Sequence, residues 1–392
     1  KEVIDAVHGR SLINSRFGRA YGEYKTDISP WVMGYVIGRE ISPDEVQTTN
    51  KQHAERTSYQ GKNLNLPFGN PTEVWLAERL DGLISYEKDT YQTERPVSVS
   101  SWPTLDPITH PTENDKETSE DVASIDMAQL DLFGAPGGYF ASFHAYPYYP
   151  NFMIDESTYQ QFKDREGVNN YLGYLQALKK HYREIPLVIA EYGIPSSWGN
   201  AHYSPNGLHH GGHDEIQQQR GNARLTRNIF ESKAAGGMLF AWMDEWWKRT
   251  WIVDEISLPR ERYGLWHNLT SPEENFGLIA FELEKPAFRE LKTGDRRIQK
   301  ISAAANAAFF HLQIDLAFEL ALDETIVIGY NTYGDDLGEI VLPNGTRTSN
   351  RSEFALSLRY PSQAQLYVTQ AYDLFRIWHR LSPENQLYHS IP

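Results

Sequence analysis

From residue 31 to about residue 290, short apolar runs of strand type alternate with helical patterns, and this alternation restricts the chain more than any other feature. Parallel strands need a long crossover between them, normally a helix, so alternation of this kind predicts βα units around a parallel sheet. The predicted strands are Trp31–Ile37, Pro96–Ser101, Tyr139–Ala145, Leu187–Ala190 and Gly237–Met243. Each is apolar almost throughout, as expected for strands covered on both faces. Helix boundaries are legible between them. Asn70, Pro71 and Glu73 supply an N-cap, an N1 proline and an N3 glutamate, and Trp75, Leu76, Leu80, Leu83 and Ile84 follow as one apolar face. Further helices are predicted over about 118–133, Asn169–Arg183 and Asp214–Ala235, with Lys285–Leu291 as a last one.

After about residue 295 the texture changes. Runs such as Phe309–Leu316, Glu324–Tyr330, Ser352–Leu358 and Gln365–Thr369 are separated by turn signals, with no helical pattern between them. That spacing predicts an antiparallel β-sandwich. The expected organisation is an α/β unit over residues 1–294 and an accessory sandwich over 295–392.

Composition removes several functions. Acidic residues number 52 against 37 Lys and Arg, a net charge of −15. A field of that sign repels phosphate backbones, which argues against nucleic acid as a partner. No apolar run approaches the roughly 20 residues of a spanning helix. With no cysteine, disulfides, thiolate metal sites and thiol nucleophiles are excluded. Export stays open, and an extracellular or cell-envelope setting is favoured. The 23 Tyr and 10 Trp offer ring faces suited to sugars or peptides, or else an aromatic core.

In a parallel barrel, functional groups stand at the C-terminal ends of the strands. Two of the predicted strands run directly into a glutamate, Glu40 and Glu191. A carboxylate at the end of a buried strand needs water, a charged partner or a chemical role. Two of them fit glycoside hydrolysis, in which one carboxyl protonates the leaving oxygen and the other attacks the anomeric carbon or activates water. His144 and Tyr146 are two apart on a strand and share a face.

In order, Glu40, His144 with Tyr146, Glu191 and Trp242 resemble the retaining β-glycosidases with a (β/α)8 barrel, the clan of cellulases and β-galactosidases. The resemblance covers about residues 1–290. It implies that the first predicted strand is the barrel's fourth and the last its eighth, that Glu40 is the acid/base, and that Glu191 is the nucleophile. It also implies that Tyr146 hydrogen-bonds Glu191, that Trp242 is a sugar platform, and that an oligo- or polysaccharide is cleaved without metal or organic cofactor. One position departs from the pattern: the clan usually has Asn before the acid/base, and here Arg39 stands there, which points to an unusual substrate such as an anionic one, or to a non-catalytic carbohydrate-binding module. Trp102, Asp244 and Glu245 are further candidate substrate contacts at strand ends, the last two also able to pair with Lys248 and Arg249. The segment 209–215 holds metal-ligand residue types, yet its glycines break the helical spacing of metallohydrolases, so a loop and a helix start at Asp214 and Glu215 are expected.

A complete barrel takes about 250 residues, near 31 per unit. Only 30 residues precede Trp31, so two or three strands are expected to be missing from this chain and to lie on a longer polypeptide.

Overall fold

The structure is a computed structural model. It describes residues 1–113, 122–248, 250, 268–280, 285–294, 296–306, 309–332, 335–336, 338–369 and 388–391. The chain divides into two compact units, Lys1–Glu284 and Lys285–Pro392.

The first unit is built on a five-stranded sheet of Tyr35–Ile37, Val97–Ser101, Ala141–His144, Leu187–Tyr192 and Gly236–Leu239. Its spatial order is the sequence order, and all four pairings are parallel. Among the described residues the sheet does not close on itself, and Tyr35–Ile37 and Gly236–Leu239 are its two outer strands. Every predicted strand is present, shorter at one or both ends in four cases and two residues longer in the Leu187–Tyr192 strand.

Three helices obey the caps legible in the sequence. Pro71–Tyr91 and Glu215–Glu231 open on capping boxes, Asn70 with Glu73 and Asp214 with Gln217, and Asn170–His181 is capped by Asn169. Two apolar clusters fill the unit. Leu76, Ala77, Leu80 and Ile84 of one helix pack with Val97 and Val99 of the second strand. Tyr171, Tyr174, Leu175, Leu178, Leu225 and Ile229 pack with Phe143, Leu187 and Ile189. Much of the aromatic content is therefore core, with its polar ends satisfied: Tyr171 donates to the Ala145 carbonyl and Tyr174 to Asp106.

Two predicted helices are corrected. Residues 114–121 lie outside the described residues, but 122–133 are turns and extended chain. Ile125 and Met127 are both buried, with Asp126 between them donating its backbone N–H to Glu73 at 2.7 Å. That alternation is the signature of an extended segment, not of a helix. Lys285–Leu291 is not helical either. Arg289–Thr293 is a strand paired antiparallel with Ile298–Ala305. The helix Pro43–Gln52, capped by Ser42 with Glu45, goes unpredicted, as do the short helices Glu2–Val7 and Phe152–Asp155.

The second unit consists of antiparallel sheets. Arg289–Thr293, Ile298–Ala305 and Phe310–Leu316 form one, and Thr325–Tyr330, Phe354–Arg359, Gln363–Thr369 and Tyr388–Ile391 another. A two-stranded ribbon joins Glu339–Val341 to Arg347–Ser352. Leu342, Ala355 and Tyr388 form its small buried cluster.

Candidate active site

The fourth strand carries an irregularity where it reaches the site. Ile189 pairs with Phe143, the register then shifts, and Glu191 stands opposite His144. An irregularity of this kind re-aims a side chain while the ladder continues. The backbone is held on both sides of the shift, since Ala145 N–H donates to the Glu191 carbonyl at 2.9 Å.

Five side chains from four strand ends then meet. The Tyr146 hydroxyl donates to Glu191 Oε2 at 2.9 Å. His144 Nδ1 lies 2.9 Å from Glu40 Oε1 and 3.5 Å from Glu191 Oε2, and its Nε2 lies 3.3 Å from Ser100 Oγ. One atom each of Glu40, His144 and Glu191 falls within 4.8 Å of the other two. Those two oxygens and one nitrogen are the only cluster among the described residues with the donor types and spacing for a metal ion.

The electrostatics follow from burial and contacts. Burial pushes the Glu191 carboxyl above the ordinary glutamate range, with the charge of Glu40 adding to it, while His144 and the Tyr146 hydrogen bond oppose. Burial of the His144 ring works against its charged form, but the Glu40 hydrogen bond and the charges of Glu191 and Glu40 prevail and raise its pKa. An imidazolium donates from both nitrogens, which suits Glu40 on one side and Ser100 on the other. The Tyr146 phenol is pushed well above its ordinary value by burial and by nearby Tyr148 and Glu191, so it stays a proton donor.

These groups open into a cavity of about 1010 Å³. Trp102 forms part of its wall, its indole N–H donating to the Ile41 carbonyl at 2.9 Å and its ring lying on Tyr149 with centroids 6.2 Å apart. Tyr148 and Phe240 contribute further aromatic surface.

No protein-family model matches the sequence, and no curated protein matches it. Among solved structures, the chain is similar to a Bacteroides uniformis beta-glucuronidase at 11% identity and a TM-score of 0.30, over 88% of this chain and 34% of that one. It is similar also to a calcium-binding mutant of Bacteroides uniformis beta-glucuronidase 2, at 12% identity and a TM-score of 0.31, over the same shares of the two chains. The chain thus spans about a third of the length of these solved structures.

Of the residues singled out in the sequence, Glu40, Glu191, His144, Tyr146 and Trp102 share the cavity. Arg39 lines it too, but its guanidinium is engaged by both oxygens of Glu45, at 2.6 and 2.8 Å. Trp242 is not among the lining residues and is 68% exposed; the fifth strand ends at Leu239, and Phe240 is the aromatic that reaches the cavity. Asp244 is buried and accepts from Gly277 N–H, away from the cavity. Glu245 pairs with Lys248 at 2.8 Å, and Arg249 lies outside the described residues.

The histidine-rich loop does not converge on an ion. His209 Nδ1 accepts from Ser204 N–H, and His213 Nε2 accepts from His209 N–H. His210 instead lies in the cavity wall beside Glu273. Sequence reasoning missed Glu273, Tyr148, Phe240 and Ser100. For Ser100 the signal was present, since it lies one residue before the end of a predicted strand.

Proposed function

We propose that this chain hydrolyses a β-linked glycoside with retention of configuration, Glu191 acting as nucleophile and Glu40 as acid/base. The observation that carries the reading is the approach of the two strand-end carboxyls, with one oxygen of each within 4.8 Å of the other. Retaining enzymes hold their carboxyls about 5–5.5 Å apart, and inverting ones roughly 6.5–9.5 Å apart to admit a water.

In the first step a Glu191 oxygen bonds to the anomeric carbon as the glycosidic C–O bond breaks, and Glu40 passes a proton to the departing oxygen. Water then attacks the glycosyl ester, Glu40 takes its proton, and Glu191 leaves as the free carboxylate. His144 bridges the two carboxyls and holds the proton inventory of the pair. Tyr146 fixes which Glu191 oxygen is engaged and leaves the other for attack. The five parallel strands, numbered by the clan's order, would be positions four to eight of a (β/α)8 barrel, and the second unit would be an accessory β-sandwich of the carbohydrate-binding type.

A second reading, a carbohydrate-binding module without turnover, is favoured by Arg39, which stands where the clan has an amide and is engaged by Glu45. One experiment separates the two. The protein is incubated with an activated 2-fluoro glycoside and its intact mass measured. A mass gain on Glu191, absent in Glu191→Gln, supports the hydrolase; binding of sugar without covalent mass supports the module.

A further inference from the structure

A third carboxylate, with no part in the proposed hydrolysis, lines the same cavity. Glu273 lies in the short 3-10 turn Pro272–Glu274, and 26% of its side chain is exposed. Its Oε1 lies 2.9 Å from Nε2 of His210 and its Oε2 3.8 Å from Lys248 Nζ. His210 is itself 2% exposed and stacks on Tyr148, centroids 4.6 Å apart. The Lys248 ammonium sits 4.1 Å from the centre of the Phe240 ring and pairs with Glu245. Glu273 is therefore held from two sides by residues that are themselves anchored. Burial alone would raise its carboxyl, but His210 and Lys248 outweigh burial and keep it below the ordinary glutamate range. The charges of Glu191 and Glu273 both act on Tyr146 and Tyr148, which places the two carboxylates in one neighbourhood.

The charges around the cavity discriminate between sugar classes. Glu40, Glu191 and Glu273 line it. The Arg and Lys that line it are already matched, Arg39 by Glu45 at 2.6 Å and Lys248 by Glu245 at 2.8 Å. With Glu40 carrying the proton it is to donate, a sugar carboxylate would still meet the like charges of Glu191 and Glu273 and, among the described lining residues, no unmatched Arg or Lys. The hydroxyls of an uncharged sugar are donors, and a fixed carboxylate offers them two acceptor oxygens in a charge-assisted bond. Trp102, Tyr148, Tyr149 and Phe240 supply apolar faces for the ring.

We propose that Glu273 is the specificity residue of this site, accepting hydrogen bonds from hydroxyls of an uncharged sugar, and that the site rejects uronic acids. The inference rests on the glycosidase reading and names its substrate class.

The test measures binding and turnover separately, on the full chain. Affinities for glucose, galactose, mannose and glucuronic acid are measured by calorimetry with wild type, Glu273→Gln and Glu273→Asp, with circular dichroism confirming the fold. Wild type is expected to bind at least one neutral sugar about 10-fold or more tighter than the uronate, and Glu273→Gln to lose about 10- to 100-fold on that sugar, the range of a hydrogen bond to a charged group. If Glu273→Gln is unfolded, Glu273→Asp, which keeps the charge and shortens the reach, is expected to show a smaller loss of the same kind. Glucuronic acid binding as tightly as the best neutral sugar, or neutral-sugar affinity unchanged in both folded variants, overturns the proposal. Aryl β-glycosides of the same four sugars are then assayed: neutral-sugar binding with no turnover overturns the hydrolase reading alone, and turnover fastest on the glucuronide overturns the specificity alone.

Discussion

Tyr146 and Glu191 stand on neighbouring strand ends, and the Tyr146 hydroxyl donates to Glu191 Oε2 over 2.9 Å. This bond is one of the contacts that oppose the upward pull of burial on the Glu191 carboxyl. Tyr146→Phe removes it and keeps the ring. The Glu191 carboxyl then rises further, so a smaller fraction is ionised at any pH below neutrality. The acidic limb of the kcat/KM profile is expected to move to higher pH, and kcat to fall about 10- to 100-fold. A limb that stays in place would remove Tyr146 from the role of tuning Glu191.

His144 links to stability through its own raised pKa. A group that binds its proton more tightly when folded contributes stability that is full below its unfolded value, near 6.5, and lost as pH rises through the folded value. His144→Gln is therefore expected to lower the thermal midpoint most at about pH 6 and progressively less toward pH 9. Midpoints measured across that range check the sign.

Glu274 behaves as the carboxylate counterpart. It is 1% exposed, accepts from Asn268 N–H at 2.8 Å, and is pushed up to about 8 by burial, with Asp244 adding to the shift. Both states carry the proton below the ordinary value of 4.5, and the folded state is penalised as pH rises from there through about 8. Glu274→Gln keeps the acceptor and removes the penalty. Its thermal midpoint relative to wild type is expected to increase between pH 5 and pH 8.5, and a flat difference would show that Glu274 ionises alike in the folded and unfolded chains, with no upward shift on folding.

Trp102 ties the second strand end to the loop carrying Glu40, through its indole bond to the Ile41 carbonyl. Trp102→Phe keeps a ring against Tyr149 and loses that bond. The expected cost is about 1 kcal/mol of stability in denaturant unfolding. Turnover is expected to fall more than sugar affinity does if Glu40, carried by that loop, is the acid proposed above.

The strand ends were legible because an apolar run that stops on a glutamate leaves a mark within a few residues, as at Glu40 and Glu191. The pair of His144 and Tyr146 was legible from period-two spacing. Phe240 and Trp242 share the same parity, so the choice between them depended on where the strand ends, and no local signal distinguishes Leu239 from Met243 as its last residue. Glu273 was invisible for another reason. It comes from a short turn far along the chain from His210, and only the fold brings the two together. The helix after Glu40 did carry a signal, Ser42 and Pro43 followed by Glu45, which is a capping box beside an N1 proline. Part of the predicted helix over 118–133 is extended instead: Glu73, raised to about 7 by burial, accepts the Asp126 N–H between the buried Ile125 and Met127.

Glu45 makes that helix start matter to Glu40, which precedes it. One oxygen accepts from the Ser42 backbone, and both accept from the Arg39 guanidinium, so a single exposed carboxylate closes the chain from Gly38 to Ser42 into a clasp with Glu40 at its centre. An exposed position usually tolerates exchange within about 0.5 kcal/mol. This one has no gentle replacement: Gln keeps the cap but drops the ion pair, Asp falls short of one partner, and Ala releases both. Drift at a solvent-facing helix residue would thus be felt first as a loosening of the loop that carries Glu40.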